Sequence, residues 1–192
     1  MHSFINEILN SSGFTSEIEK QLSANIVIKS ISKGEVLLRK NDISSKSFFV
    51  KKGCLRSYSI DEKGKEHIFM FAPEGWMISD TPFEISNTKS QLFIDAIEDS
   101  EIEIIDNKLF EKLVTDLRLS NTIGLNKLLK RISVLQKRII LLMSASALER
   151  YQDFVATYPN IVQRVPQKMI ASYLGITPEA LSKIRGDFAK QK

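Results

Sequence analysis

With 192 residues, 43% hydrophobic and 26% charged, the chain has the composition of a globular protein that can bury one large core or two small ones. A single cysteine, Cys54, excludes an internal disulfide and a cysteine-held cluster, and no apolar run approaches the roughly 20 residues that span a bilayer. No basic-then-apolar leader opens "MHSFINEILNSSGF", so the expected setting is the reducing cytoplasm, with no membrane.

The formal net charge of +4 conceals a division. Residues 1–106 hold 12 Lys and Arg against 17 Asp and Glu, whereas residues 107–192 hold 15 against 6. An acidic front and a basic back point to two roles in one chain, with any polyanion contact at the back. A solvated basic helix would give the same numbers, so charge alone does not decide between them.

Residues 1–24 place Phe4, Ile5, Ile8, Leu9, Phe14, Ile18 and Leu22 at helical spacing, which predicts one or two short helices. From about residue 26 to 106 the pattern changes to short β-branched and aromatic runs: "NIVIKSI", "EVLLRK", "SFFVKKG", "CLRSYSI", "EHIFMFA", "QLFIDAI" and "SEIEIID". Turn signals separate them, among them Gly34, Gly53, "DEKGKE" and "PEG". "LRSYSIDEKGKEHIFMF" reads as a hairpin, and the set as a small antiparallel barrel or sandwich.

"NKLFEKLV" predicts a short helix, and a long one follows. Leu125, Leu128, Ile132, Leu135, Ile139 and Leu142 alternate at spacings of three and four, a seam of a and d positions uninterrupted by Gly or Pro. Such a stripe can pack on the protein's own sheet. Its length and narrowness favour a second helix, hence a dimer. Lys127, Lys130, Arg131, Lys137 and Arg138 are expected on the other faces. "SASALERYQDFVATYP" continues as a further helix ended by Pro159.

The stretch "MIASYLGITPEALSKIR" meets the demands of a helix-turn-helix. Ala171 is small where two helices approach, and Gly175 tolerates the positive φ of the turn. Ile170, Leu174, Ile176, Leu181 and Ile184 supply a shared core. Thr177 can cap the second helix, Pro178 fits its first position, and Glu179 suits its positive end. A plain amphipathic hairpin would not need Ala, Gly and the Thr-Pro start together. DNA binding is therefore the main reading. Pro178, Glu179, Ser182 and Lys183 are placed toward the major groove, Glu179 as an acceptor for a cytosine amino group. Gln167, Lys168, Thr177 and Arg185 suit backbone phosphates.

A sheet-rich front, a long seam-bearing helix and this C-terminal motif together resemble the Crp–Fnr superfamily of bacterial transcription regulators over essentially the whole chain. "KGEVLLRKND" and "FFVKKGCLRSYSIDEKGKEHIFMFAPEGW" look like its cyclic-nucleotide-binding β-roll, and "VPQKMIASYLGITPEALSKIR" like its winged-helix reader. The resemblance implies an α+β fold: an antiparallel β-roll over 1–115, a dimerisation helix over 116–143 and a helix-turn-helix domain over 144–192. It implies a homodimer on double-stranded DNA, with RNA polymerase as a further partner. Where the family's reading helix carries Arg-Glu and then Arg, this chain has Pro178, Glu179 and Lys183. The expected effector pocket falls on Trp76, Met77, Ile78, Ser79, Asp80, Thr81, Ser90 and Gln91. Asp80 could serve as the ribose acid, but no Arg stands in this segment to take a cyclic phosphate. Cyclic AMP is therefore not the expected effector, and no cofactor or metal is assigned. After "SKIRGDFAKQK" little room remains for the last strand of a wing, so any wing is expected around "NIVQRVP".

Two other functions compete. The chain could be a ligand-binding module, for a cyclic nucleotide or another small molecule, that acts on a protein partner. An enzyme is not expected: His2 and His67 are the only histidines, and there is no phosphate-cradling loop or metal-spaced cluster. His67 reads as an ordinary histidine.

Overall fold

The computed structural model describes residues 4–5, 20, 23–80, 89–108 and 123–189, with side chains of the long helix from residue 133 onward. The expected helices over 1–24 and 107–114 thus lie almost wholly outside the described residues.

Among the described residues eight strands follow one another: β1 Ile26–Ile31, β2 Val36–Leu38, β3 Lys46–Lys52, β4 Leu55–Ile60, β5 Glu66–Ala72, β6 Met77–Ile78, β7 Phe93–Ala96 and β8 Ser100–Asp106. They form two four-stranded sheets, ordered β1-β8-β3-β6 and β2-β7-β4-β5. Seven of these strands coincide with the β-branched and aromatic runs. The two-residue β6 is too short to show a period, and the sequence pattern does not reveal it. One face of each sheet is apolar. Phe48, Val50, Ile78 and Ile102 from the first sheet meet Leu55, Ile94 and Ala96 from the second in a single core.

Gly53 holds the β3–β4 corner because nothing larger fits. Its φ is 94°, and a Cβ there would lie 2.1 Å from Ser100 Oγ. The β4–β5 turn is organised by Asp61, whose carboxylate accepts the Lys63 and Lys65 N–H groups, each at 2.9 Å. Asp61 also pairs with His67 Nε2 at 2.8 Å. The His67 hydrogen bond, first, and then the Lys65 N–H hold the Asp61 carboxyl below its ordinary value.

Among the described residues four helices with defined bounds follow: α1 Ile123–Ser144, α2 Ala147–Thr157, α3 Gln167–Leu174 and α4 Pro178–Ala189. Ser146 starts α2 with a capping box, its hydroxyl accepting the Glu149 N–H while Glu149 returns to the Ser146 N–H at 2.7 Å. That pairing keeps the Glu149 carboxyl below its ordinary value, chiefly through the Ser146 hydroxyl. Phe154 lies 5.3 Å from Tyr158 and 5.3 Å from Tyr173, ring centre to ring centre, and Tyr151 meets Phe188 edge-on at 5.6 Å. This aromatic cluster, with Ile161 and Val165, forms the floor on which α3 and α4 rest.

The backbone divides into two units. One unit comprises Met1–Ser59 and Met70–Leu128, the other Ile60–Phe69 and Leu129–Lys192. The second half of α1 therefore belongs with the helix-turn-helix, and so does the tip of the β4–β5 hairpin. Residues 160–165 are turns rather than strands, so the described residues contain no wing at the place expected for one.

Candidate nucleic-acid interface

The turn between α3 and α4 is built as its sequence requires. Gly175 ends α3 in the left-handed region at φ 68° and ψ 36°, and its N–H reaches the Ala171 and Ser172 carbonyls. Ala171 is buried at the crossing, with Ile170, Leu174 and Leu181 around it. Thr177 caps α4: its Oγ1 accepts the Ala180 N–H at 3.2 Å and its carbonyl accepts the Leu181 N–H at 3.0 Å. The Glu179 carboxyl is held below its ordinary value, first by its own backbone N–H and then by the Thr177 hydroxyl. It thus stands ionised at the positive end of α4, as an acceptor.

Helical spacing sorts the residues of α4. Leu181, Ile184 and Phe188 lie on one side, and Leu181 is fully buried. Glu179, Ser182, Lys183 and Gly186 lie on the other, all exposed. Pro178 and Thr177 are exposed at the entry to the helix, and Arg185 is half-buried at its flank. Gln167 and Lys168 project from the first turn of α3, both exposed. The eight expected DNA-facing residues thus cluster on the two helix starts and the exposed side of α4. Gly186 extends this face by one turn. Sequence reasoning passed over it because a glycine offers no donor or charge to notice.

The expected effector segment is arranged differently. Ile78 is fully buried in the sheet core, because β6 turns that side chain inward. Trp76 packs on the same core, and Met77 is half-buried opposite Phe49. Asp80 and Gln91 are brought together, the Asp80 carboxylate accepting the Gln91 N–H at 2.8 Å. Ser90 is buried and turned inward, donating to the Leu92 carbonyl at 2.6 Å. Ser79 is half-buried, and Thr81 lies outside the described residues. The buried guanidinium of this unit is Arg56, which the sequence reading did not single out. Its Nε and second terminal nitrogen hold both Asp95 carboxylate oxygens, at 2.7 and 2.9 Å, and it lies 4.1 Å over the Tyr58 ring.

Residues 28–116 match the cyclic nucleotide-binding domain family. The chain is 30% identical to Electron transport regulator A of Shewanella oneidensis over 175 residues, covering 84% of this chain and 68% of that protein. The chain belongs to the Crp–Fnr family. A Crp–Fnr relative from Yersinia pestis, the fumarate and nitrate reduction regulatory protein, is 27% identical over 177 residues, 84% of this chain and 68% of that one. FixK2 from Bradyrhizobium japonicum shares the fold at a TM-score of 0.74 with 19% identity, over 86% of this chain and 85% of that one.

As a Crp–Fnr protein the chain is a DNA-binding transcription regulator and not an enzyme. Crp–Fnr members bind effectors of several chemistries, and Crp–Fnr regulators act as dimers on DNA. No helix among the described residues is long and apolar enough to cross a membrane. Of the expected dimer seam, Leu135, Ile139 and Leu142 are described, and all three are exposed. Ile140 and Met143, also exposed, widen that apolar strip. Nothing is described of the Leu125, Leu128 and Ile132 side chains. Arg138, expected on a face other than the seam, is half-buried beside Tyr173. Burial pushes its guanidinium below the ordinary arginine value, against the opposing influence of Tyr173 and Tyr158.

Proposed function

We propose that this Crp–Fnr regulator works in the cytoplasm as a homodimer on a two-fold symmetric DNA site and does not respond to cyclic AMP. The observation that carries DNA reading is the two-sided α4, with Glu179, Ser182, Lys183 and Gly186 exposed above a buried Leu181. In this reading Glu179 accepts from a cytosine amino group, and Lys183 serves a guanine edge or a phosphate. Gln167, Lys168, Thr177 and Arg185 hold phosphates, while Pro178 sets the entry of the helix into the groove.

The exposed Leu135, Ile139 and Leu142 support the dimer, since an apolar strip of this kind gains about 25 cal/mol for each Å² removed from water. Two readers then face half-sites about one helical turn apart. A promoter-bound dimer meets RNA polymerase as its protein partner. The loss of cyclic AMP response rests on charge. Residues 76–80 and 89–91 carry no arginine, the Asp80 carboxylate already serves Gln91, and Arg56 is neutralised by Asp95.

Titration of the chain into symmetric and scrambled duplexes at two salt concentrations tests the reading. A sequence preference and an affinity that falls steeply with salt are expected. Equal binding to all duplexes with no salt slope overturns it. Calorimetry with cyclic AMP is expected to give no heat, and saturable binding would restore the nucleotide as effector.

A further inference from the structure

β5 closes the order β2-β7-β4-β5, so among the described residues no strand lies beside one of its edges. An open edge carries N–H and C=O groups that need other partners. Around Ile68 the partners come from helices. The Ile68 N–H donates to Ser172 Oγ at 3.0 Å, and that hydroxyl donates to the Glu66 carbonyl at 2.9 Å. Ser172 thus does for β5 what a neighbouring strand residue would do, accepting one hydrogen bond and returning another. Arg138 takes the next groups along. It donates to the Ile68 carbonyl at 3.0 Å, to the Phe69 carbonyl, and to the Tyr173 carbonyl at 3.2 Å. Its guanidinium carbon also lies 4.0 Å from the Tyr173 ring centre and 5.7 Å from that of Phe69.

Three elements therefore meet at one hydroxyl and one guanidinium: the hairpin tip, the second half of α1, and α3. We propose that Ser172 and Arg138 latch the β4–β5 hairpin tip onto the reader and so fix the angle at which α1 presents the reading helix. The inference rests on the dimeric DNA reading above. The planar fork of Arg138 can hold carbonyls from two elements at once, which a lysine ammonium does only as a point charge. Glu66, Ile68 and Phe69 all belong to the first half of β5, so these bonds hold that half of the strand directly to α3 and to the second half of α1. In a symmetric dimer the angle of each reader sets the separation of the two reading helices, hence the half-site spacing that is accepted. Ser172 and Arg138 are positioning residues, and neither lies on the exposed side of α4.

The test uses the full chain and a series of symmetric duplexes whose half-sites are moved apart or together one base pair at a time. Single half-site duplexes serve as control. The wild-type chain is expected to prefer one spacing. Ser172→Ala and Arg138→Lys are expected to lose that preference by about tenfold, with single half-site affinity unchanged and Ser172→Thr restoring the preference. Hydrogen exchange at the Ile68 amide is expected to quicken in Ser172→Ala, a change confined to the hairpin. Wild-type spacing preference in Ser172→Ala, or unchanged Ile68 exchange, overturns the latch. A wild-type chain with neither a preferred spacing nor a preferred sequence overturns the dimeric reading itself. If Arg138→Lys does not fold, judged by circular dichroism, the Ser172 pair of variants decides alone.

Discussion

A side-chain carbon added to Gly175 would lie 3.4 Å from Cδ2 of Leu142, so the turn of the helix-turn-helix closes against the end of the long helix. Gly175 stands at φ 68°, where an L-residue is strained whatever the space around it. Gly175→Ala is expected to destabilise the chain by about 1–2 kcal/mol, chiefly from the left-handed backbone. Gly175→Asn should cost less, since Asn visits that region more readily. Urea unfolding of the three proteins measures the order, and an Ala variant as stable as wild type would contradict it.

Base and phosphate contacts separate by the kind of loss they produce. Glu179→Ala is expected to relax discrimination at one base pair by about 1–3 kcal/mol while leaving the salt slope intact. Lys168→Ala should weaken all sequences alike and reduce the salt slope by about one. Competition titrations against single-base variants of the preferred site distinguish the two patterns.

Gly186 pulls stability and reading in opposite directions. Nothing lies within 4 Å of a Cβ built there, and the residue is inside α4, where glycine is less favourable than alanine by about 0.5–1 kcal/mol. Gly186→Ala is therefore expected to raise the melting temperature. Its methyl group would project from the exposed side of α4 proposed to face DNA, so affinity for the preferred duplex should fall. A variant that is stabler and binds equally well would place DNA farther from this turn of the helix.

Ile139 is 56% exposed, enough for a charge placed there to be tolerated in a lone chain. In a paired seam the same charge is buried beside its symmetry mate. Ile139→Glu is expected to yield a folded monomer, with the dimer weakened by about tenfold or more. Sedimentation velocity reads the assembly directly. A variant that remains dimeric at low micromolar concentration would move the interface elsewhere.

The hairpin turn has an acid limit set by Asp61. Its folded carboxyl lies below the value of 3.8 it has unperturbed, so its contribution is complete above that value and is lost as pH falls through the folded pKa. The Lys63 and Lys65 N–H bonds should weaken in that window and not near neutrality. His67→Ala removes the hydrogen bond that contributes most to this lowering and is expected to move the Asp61 titration upward, toward 3.8. Carboxyl chemical shifts followed by NMR give both curves.

Local chemistry wrote much of the reader into the sequence. Ala171, Gly175 and Thr177 do what a tight helix-turn-helix needs over a few residues, and φ, burial and cap all follow from side-chain size and hydrogen-bonding capacity. The strands were legible for the same reason, since alternating β-branched and aromatic runs have few other ways to bury their surface. The inward turn of Ile78 was not legible because two residues carry no period, and it comes with the pairing to Phe48 across the sheet.

Pairings distant in sequence were not legible, because no spacing rule links residues so far apart along a chain. Arg56 and Asp95 lie 39 residues apart and are joined by the β4–β7 register. Ser172 and Glu66 lie 106 apart, and Arg138 and Phe69 lie 69 apart. By itself the sequence determined seven of the strands and the helix-turn-helix, all properties of short segments. Only the tertiary structure decided which open backbone edge Ser172 and Arg138 would satisfy, because an unpaired N–H or C=O binds whatever the fold brings within about 3 Å.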